Sequence, residues 1–273
     1  MRADLHLHTR CSDGSLTPEI IIGEAVKSGL GLVAVTDHDC AAAIGGLRAA
    51  AEGTGVKTVA GVEISAYCGK TKFHTLGYAF DEQKLQPFLR ELYESSLERA
   101  EDITRKLNAA GYEIDLEEVM AERYSGECPV HAENFARVML RKGYISKSID
   151  FYRKFIAVGK PAFSIVRRPT PEQAVEAIVA AGGLAVVAHP GRIWLEEEEL
   201  EKKIENLTAV GLGGIEVYYT THTEEKTVYY GRLADRLGLI KTGGSDTHHL
   251  DGSRAIGKPP FEADGRLLRR LNV

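Results

Sequence analysis

The chain has 273 residues, 44% of them hydrophobic and 27% charged, with a formal net charge of −5. That length supports one large α/β unit, or such a unit carrying an insertion. The mildly acidic balance excludes a protein that coats nucleic acid through overall positive charge. No apolar run at the start is long enough for a leader or a spanning segment, so the reading expects a cytoplasmic protein with no membrane association. Cys11, Cys40, Cys68 and Cys128 are widely spaced with no Cys-x-x-Cys pair, which reads as four free structural thiols in a reducing compartment.

In chain order, Asp4-Leu5-His6-Leu7-His8-Thr9 reads as an opening strand. Alternation along a strand points His6 and His8 the same way, about 6–7 Å apart at ~3.3 Å per residue, so both can converge on one metal ion, with Asp13 close by as a carboxylate. Thr17-Pro18-Glu19 offers an N-cap followed by proline at the first helical position, opening a helix that ends near Ser28-Gly29. Leu32 to Val35 is a short apolar strand that empties into Thr36-Asp37-His38-Asp39, and an alanine-rich helix follows from about 41 to 52. Lys57 to Ile64 reads as a third strand with Glu63 near its end. A lone carboxylate in an apolar strand is costly if buried without a cation. A fourth strand, Lys72 to Phe80, contributes His74.

Alternation then stops. From Glu82 to about Gly111 the pattern is one long helix, and shorter helical stretches follow at 115–123, 133–142 and 148–158. Residues 84–168 therefore read as an all-helical insertion capping the functional end of an α/β unit formed by residues 1–83 and 169–273. Between Asn134 and Arg168, nine Lys or Arg stand against one acid, Asp150, giving a local net charge of +8 against −13 for the remainder. Such a basic surface suits a phosphate-bearing ligand, or reads equally as a solvated helical face. A capping box, Thr170-Pro171-Glu172-Gln173, restarts the α/β alternation. Leu184 to Ala188 ends in His189-Pro190-Gly191-Arg192, Gly214 to Tyr218 is a sixth strand, and Leu239 to Thr242 a seventh that opens into Gly244-Ser245-Asp246-Thr247-His248.

His6, His8, Asp13, His38, Glu63, His74, His189, Asp246 and His248 thus fall at or just after strand ends, the rim where parallel α/β folds build their sites. The pattern points to a multinuclear metal centre. The stretches Asp4 to Thr9, Ser12-Asp13-Gly14, Val35 to Asp39, Gly61 to Ser65, His74 to Tyr78, Ala188 to Arg192 and Gly244 to His248 resemble, in order, those of the PHP-domain (polymerase and histidinol phosphatase) metal-dependent phosphoesterases. The helical insertion and Gly159-Lys160-Pro161-Ala162 resemble the branch whose members dephosphorylate nucleotides, including 3′,5′-bisphosphorylated ones, and trim short RNA from the 5′ end.

The resemblance implies a distorted seven-stranded (β/α)7 barrel holding two or three divalent ions, Mn, Fe or Zn. His6, His8, Glu63 and Asp246 would hold the first ion, and Asp13, His38 and His248 the second. His74 and His189 would share Glu63 with a third. The expected chemistry is hydrolysis of a nucleotide phosphate ester by a metal-bridging hydroxide, with no obligate protein partner. Asp37 would orient a ligand histidine. Arg192 and Arg99 resemble family phosphate binders, and Lys160 lies in the branch-like segment. Where the branch usually has histidine this chain has Asn134, with His131 one helical turn earlier as a substitute. Cys40 stands where a threonine usually follows Asp39. His222 and His249 read as surface residues. The other readings are a histidinol-phosphate phosphatase and a non-catalytic metal-binding module.

Overall fold

The structure is a computed structural model and describes residues 1–69, 71–164, 167–252 and 254–273. Residues 165 and 166 of the predicted insertion lie outside the described residues. The fold is mixed α/β. A three-stranded parallel sheet contains β1 (Ala3–Asp4), β2 (Leu32–Val33) and β3 (Lys57–Thr58). A five-stranded sheet runs in the order β4 (Gly61–Cys68), β5 (Thr71–Tyr78), β6 (Leu184–Val187), β7 (Gly214–Tyr219) and β8 (Ile240–Gly244).

Two seams of backbone contacts join the sheets. On one side Leu5 N donates to Gly243 O, Asp246 N to His6 O and His8 N to Thr247 O. On the other His38 bridges Glu63 in parallel, with Glu63 N donating to Asp37 O and Asp39 N to Glu63 O. Leu5, Leu32, Leu76, Val186 and Ile240, from the strands of both sheets, share one apolar cluster. A larger cluster lies under the helices α1 (Pro18–Lys27), α2 (Ala43–Ala51), α7 (Pro171–Ala180), α8 (Glu197–Thr208) and α9 (Glu224–Leu237).

Local signals set several boundaries. Thr17 Oγ1 accepts from Ile20 N at the start of α1. Thr170 and Gln173 exchange hydrogen bonds at the start of α7, each side chain satisfying an amide that the helix cannot. The stretch read as one strand over 57–64 is two, β3 and β4, and β4 continues to Cys68 before folding back as the antiparallel β5. Glu63 is therefore early in its strand and His74 lies mid-strand, so these two reach the site from a hairpin and not from a strand end.

The helical stretch comprises α3 (Glu82–Ala109), α4 (Leu116–Ala121), α5 (Ala132–Arg141) and α6 (Ser148–Phe151), which widens into a π turn (Tyr152–Ile156). The π turn directs both Phe155 and Ile156 into an apolar cluster of this region's own, beside Phe135 and Phe151. A last helix, α10 (Gly265–Arg270), closes the chain. Among the described residues no helix is long and apolar enough to cross a membrane.

Candidate functional site

All nine side chains singled out in the sequence meet at one cleft. Glu63 is its centre. Its Oε2 lies 3.2 Å from His6 Nε2, His8 Nε2 and His38 Nδ1, and its Oε1 lies 2.6 Å from His74 Nδ1 and 2.9 Å from His189 Nε2. Asp246 Oδ1 is 3.2 Å from His8 Nε2 and 3.6 Å from His6 Nε2. Asp13 stands 3.2 Å from His248 Nε2 and 3.8 Å from His38 Nε2. Among the described residues, three groups present ligand atoms close enough to share an ion: His6, His8, Glu63 and Asp246; His8, Asp13, His38 and His248; and His38, Glu63 and His74. His189 is outside the third group but lies 3.3 Å from His74 Nδ1.

The backbone is bent to achieve this. Asp39, His189 and Asp246 adopt positive φ, a region that residues other than glycine rarely enter and that concentrates at functional sites. At Gly244 a Cβ would come 2.3 Å from the Cβ of His6, so only glycine lets the end of β8 press against the His6 strand.

Burial alone would neutralise these groups; at the carboxylates the neighbours overrule it, at two of the histidines they do not. Glu63 is pushed up by burial but held well below the usual carboxylate range by His74, His38 and His6. Asp246 is likewise pushed up by burial and held well below by His6 and His8. Burial drives His38 well below the ordinary histidine range and His74 to about 4, leaving both neutral and able to ligate. His6 Nε2, His8 Nε2, His38 Nδ1, His74 Nε2, His189 Nδ1, Asp13 Oδ1 and Glu63 Oε2 are all buried without a hydrogen-bond partner. So many unmet nitrogen and oxygen donors facing one another suit divalent cations.

Residues 4–230 match the PHP domain family. The chain belongs to that family. It is similar to a 3′,5′-nucleoside bisphosphate phosphatase of Chromobacterium violaceum, 35% identical over 279 residues, covering 97% of this chain and 98% of the relative. It also resembles a 5′-3′ exoribonuclease of Escherichia coli, 32% identical over 249 residues, covering 90% of this chain and 84% of the relative. Among solved structures, an amidohydrolase from Chromobacterium violaceum with bound sulfate superposes with a TM-score of 0.85 at 33% identity, covering 99% of this chain and 97% of that one. A protein from Bifidobacterium adolescentis assigned as a metal-dependent phosphoesterase gives 0.86 at 26% identity, covering 98% and 96%. The PHP-domain chain is a phosphoric ester hydrolase of the metal-dependent type.

Around the cluster the structure redistributes several expected roles. Asp37 contacts no histidine by a hydrogen bond: it accepts from Thr9 N, Thr9 Oγ1 and Ser12 Oγ, and Ser12 Oγ lies 3.4 Å from His8 Nδ1. It props the loop that carries Asp13. Arg192 lines the cleft, donating to Tyr219 OH at 2.9 Å and to Asp246 Oδ2 at 3.3 Å. Asn134 is spent on the start of α5, where its Oδ1 accepts from His131 N at 2.8 Å. Lys160 is exposed in the turn after the π segment and does not line the cleft. His222 is half-buried, bonded to Val217 O and accepting from Gly191 N, so it fastens the turn that carries Arg192. His249 lines the cleft and bonds Ser15 Oγ.

The metal cleft, about 290 Å³, continues into a space of about 460 Å³ beneath the helical segment. Arg99, His131, Arg168, Tyr67 and Tyr152 line this second part. Arg99 Nε and His131 Nε2 are buried there without a partner. Burial pushes Arg99 down to about 10, with Arg168 adding to the shift, and it keeps its charge at neutral pH. No surface ion pair engages Arg99 among the described residues.

Sequence reasoning missed Glu216, Tyr219 and Arg254. Glu216 Oε1 lies 2.9 Å from His6 Nδ1, Tyr219 OH donates to Asp246 Oδ2 at 2.7 Å, and Arg254 pairs with the same Asp246 oxygen. Glu216 carried a signal, since it too is a lone carboxylate inside an apolar strand.

Proposed function

We propose that this PHP-domain chain removes a phosphate from nucleotides that carry a second phosphate, nucleoside 3′,5′-bisphosphates or the ends of short oligonucleotides. The observation that carries the reading is the pair of unpartnered buried donors, Arg99 Nε and His131 Nε2, in the part of the cleft beyond the metal cluster. A buried cation with unmet donors calls for an anion, and guanidinium matches phosphate oxygens with its planar fork. A small substrate with one phosphate would leave those donors idle.

His6, His8, Glu63 and Asp246 would hold one ion and Asp13, His38 and His248 a second, with His74 and His189 completing a third around Glu63. Bound Mn, Fe or Zn would supply an activated water and Lewis acidity toward the phosphoryl oxygens. The chain's own residues do the rest. Arg192 and Lys72 line the metal cleft, where they can meet phosphoryl oxygens and offset charge as it develops. Arg254 and Tyr219 fix Asp246, so that its other oxygen faces His8. Arg99, His131 and the phenols of Tyr67 and Tyr152 would hold the distal phosphate and so set the length of substrate accepted.

On the same reading, the two sheets with their joining seams form a distorted seven-stranded (β/α) barrel, β3 and β4 counting as one interrupted strand, and residues 84–168 form the capping insertion. Four free thiols suit a reducing compartment. The test compares kcat/KM for a nucleoside 3′,5′-bisphosphate, a nucleoside monophosphate and histidinol phosphate in the presence of Mn. The bisphosphate should be favoured by at least tenfold. Faster turnover of histidinol phosphate would overturn the assignment, and no turnover of any ester would favour a binding module.

A further inference from the structure

Glu216 is fully buried in β7, is not one of the nine residues that form the cluster, and has both of its oxygens committed. Oε1 lies 2.9 Å from His6 Nδ1, and Oε2 accepts from the backbone N of His189 at 2.7 Å. One side chain therefore reaches two cluster positions that are 183 residues apart in sequence. The strand is shaped for this. Its pairing with β8 slips between Glu216 and Tyr218, adding a residue that lets Glu216 and Tyr219 both face the cluster although they are three positions apart. A bulge of this kind re-aims side chains beside active sites.

We infer that Glu216 is a positioning residue for the metal centre, fixing His6 with its proton on Nδ1 and its Nε2 lone pair aimed at the cations while clamping the strained His189 backbone. A carboxylate accepts and does not donate, so the hydrogen bond at 2.9 Å requires the proton on Nδ1. That leaves Nε2, 3.2 Å from Glu63 and 3.6 Å from Asp246, free to ligate. The carboxylate also makes the imidazole a stronger donor. At His189, φ of +26° is a conformation few side chains tolerate, and the bond from its backbone N to Glu216 Oε2 helps to hold it. His189 Nε2 thereby stays 2.9 Å from Glu63. Loss of Glu216 would release two cluster side chains together, although neither it nor its variants would touch substrate.

The inference rests on the metal-centre reading, and its test separates the two. Long-range ¹⁵N–¹H spectra of the Zn-loaded wild-type protein should show His6 protonated at Nδ1 and ligating through Nε2. The isosteric Glu216→Gln retains one acceptor but puts a donor against the His189 amide; it should bind Mn 10- to 100-fold more weakly, as measured by calorimetry. Its KM for substrate at saturating Mn should stay within a factor of three. In Glu216→Ala the His6 Nδ1 proton has no carboxylate to hold it, so it should exchange faster with water and its signal should broaden. A wild-type His6 ligating through Nδ1, or Glu216→Gln binding Mn as tightly as wild type, would overturn the role of Glu216 while leaving the metal centre intact. A wild-type protein that takes up neither Zn nor Mn would overturn both.

Discussion

Arg99 is the sharpest probe of what the cleft accepts. Its Nε is buried with no partner, the Arg168 charge opposes its own, and among the described residues no ion pair neutralises it. Arg99→Met keeps the length and the apolar stem and removes only the fork. If a distal phosphate accepts from that fork, the change deletes one charge-assisted hydrogen bond, about 1.5–3 kcal/mol. Read as transition-state stabilisation, this lowers kcat/KM for a nucleoside 3′,5′-bisphosphate by roughly 10- to 150-fold. A nucleoside monophosphate, hydrolysed at the metal cluster but empty at the distal end, should change by less than threefold. The assay is phosphate release under kcat/KM conditions for both substrates with both proteins. The variant should melt at or above the wild-type temperature, because an unpaired buried cation has been removed. Equal losses on the two substrates would show that Arg99 acts on the metal cluster or on folding, and no loss on either would refute the distal phosphate.

Chelation should lower the melting temperature and Mn should restore it, because cations bound only by the folded state add about 2.7 kcal/mol at a hundredfold excess over Kd; differential scanning calorimetry with and without EDTA checks this. Loading should also release protons. Burial pulls His8 down, but the Asp246 and Glu63 carboxylates, each 3.2 Å from its Nε2, outweigh it and lift the cation-free residue to about 10. That proton is therefore bound at pH 8 and must leave when a cation arrives, so Mn affinity should fall as pH drops; calorimetry in buffers of different ionisation enthalpy reads the proton count, and no release would contradict the geometry. Gly244→Ala places a methyl 2.3 Å from the Cβ of His6 and should cost about 1–3 kcal/mol of stability together with much of the metal affinity. Urea melts and metal analysis of the variant test both parts.

The sequence held the cluster because its chemistry is sparse. Histidines and carboxylates gathered at or just after strand ends have few reasons to be there, and the nine chosen on that ground all converge. Helix starts were equally legible where a cap is local, as at Thr17-Pro18 and Thr170 to Gln173. What failed was whatever depends on the direction of return. The local cue that the chain folds back is slight, Gly69 at positive φ between two apolar runs, so Glu63 and His74 were read as strand-end residues when they lie within paired strands.

Roles that depend on a partner from elsewhere in the chain were illegible for a related reason. Asn134 looked like a substrate contact because it stands where the family has histidine, yet its amide is consumed by the His131 backbone at the start of α5. Asp37 looked like a histidine orienter because it sits beside His38, but its oxygens face Thr9 and Ser12. The carboxylate from outside the cluster that bonds a cluster histidine directly is Glu216, in β7. The argument that singled out Glu63, a carboxylate too costly to bury alone, applied with equal force to Glu216, which is fully buried. Applied uniformly, it would have marked both carboxylates in advance: Glu63 among the ligand atoms and Glu216 behind His6. Which of them faces the centre of the cluster is decided by pairing, since β4 joins the His38 segment while β7 slips against β8.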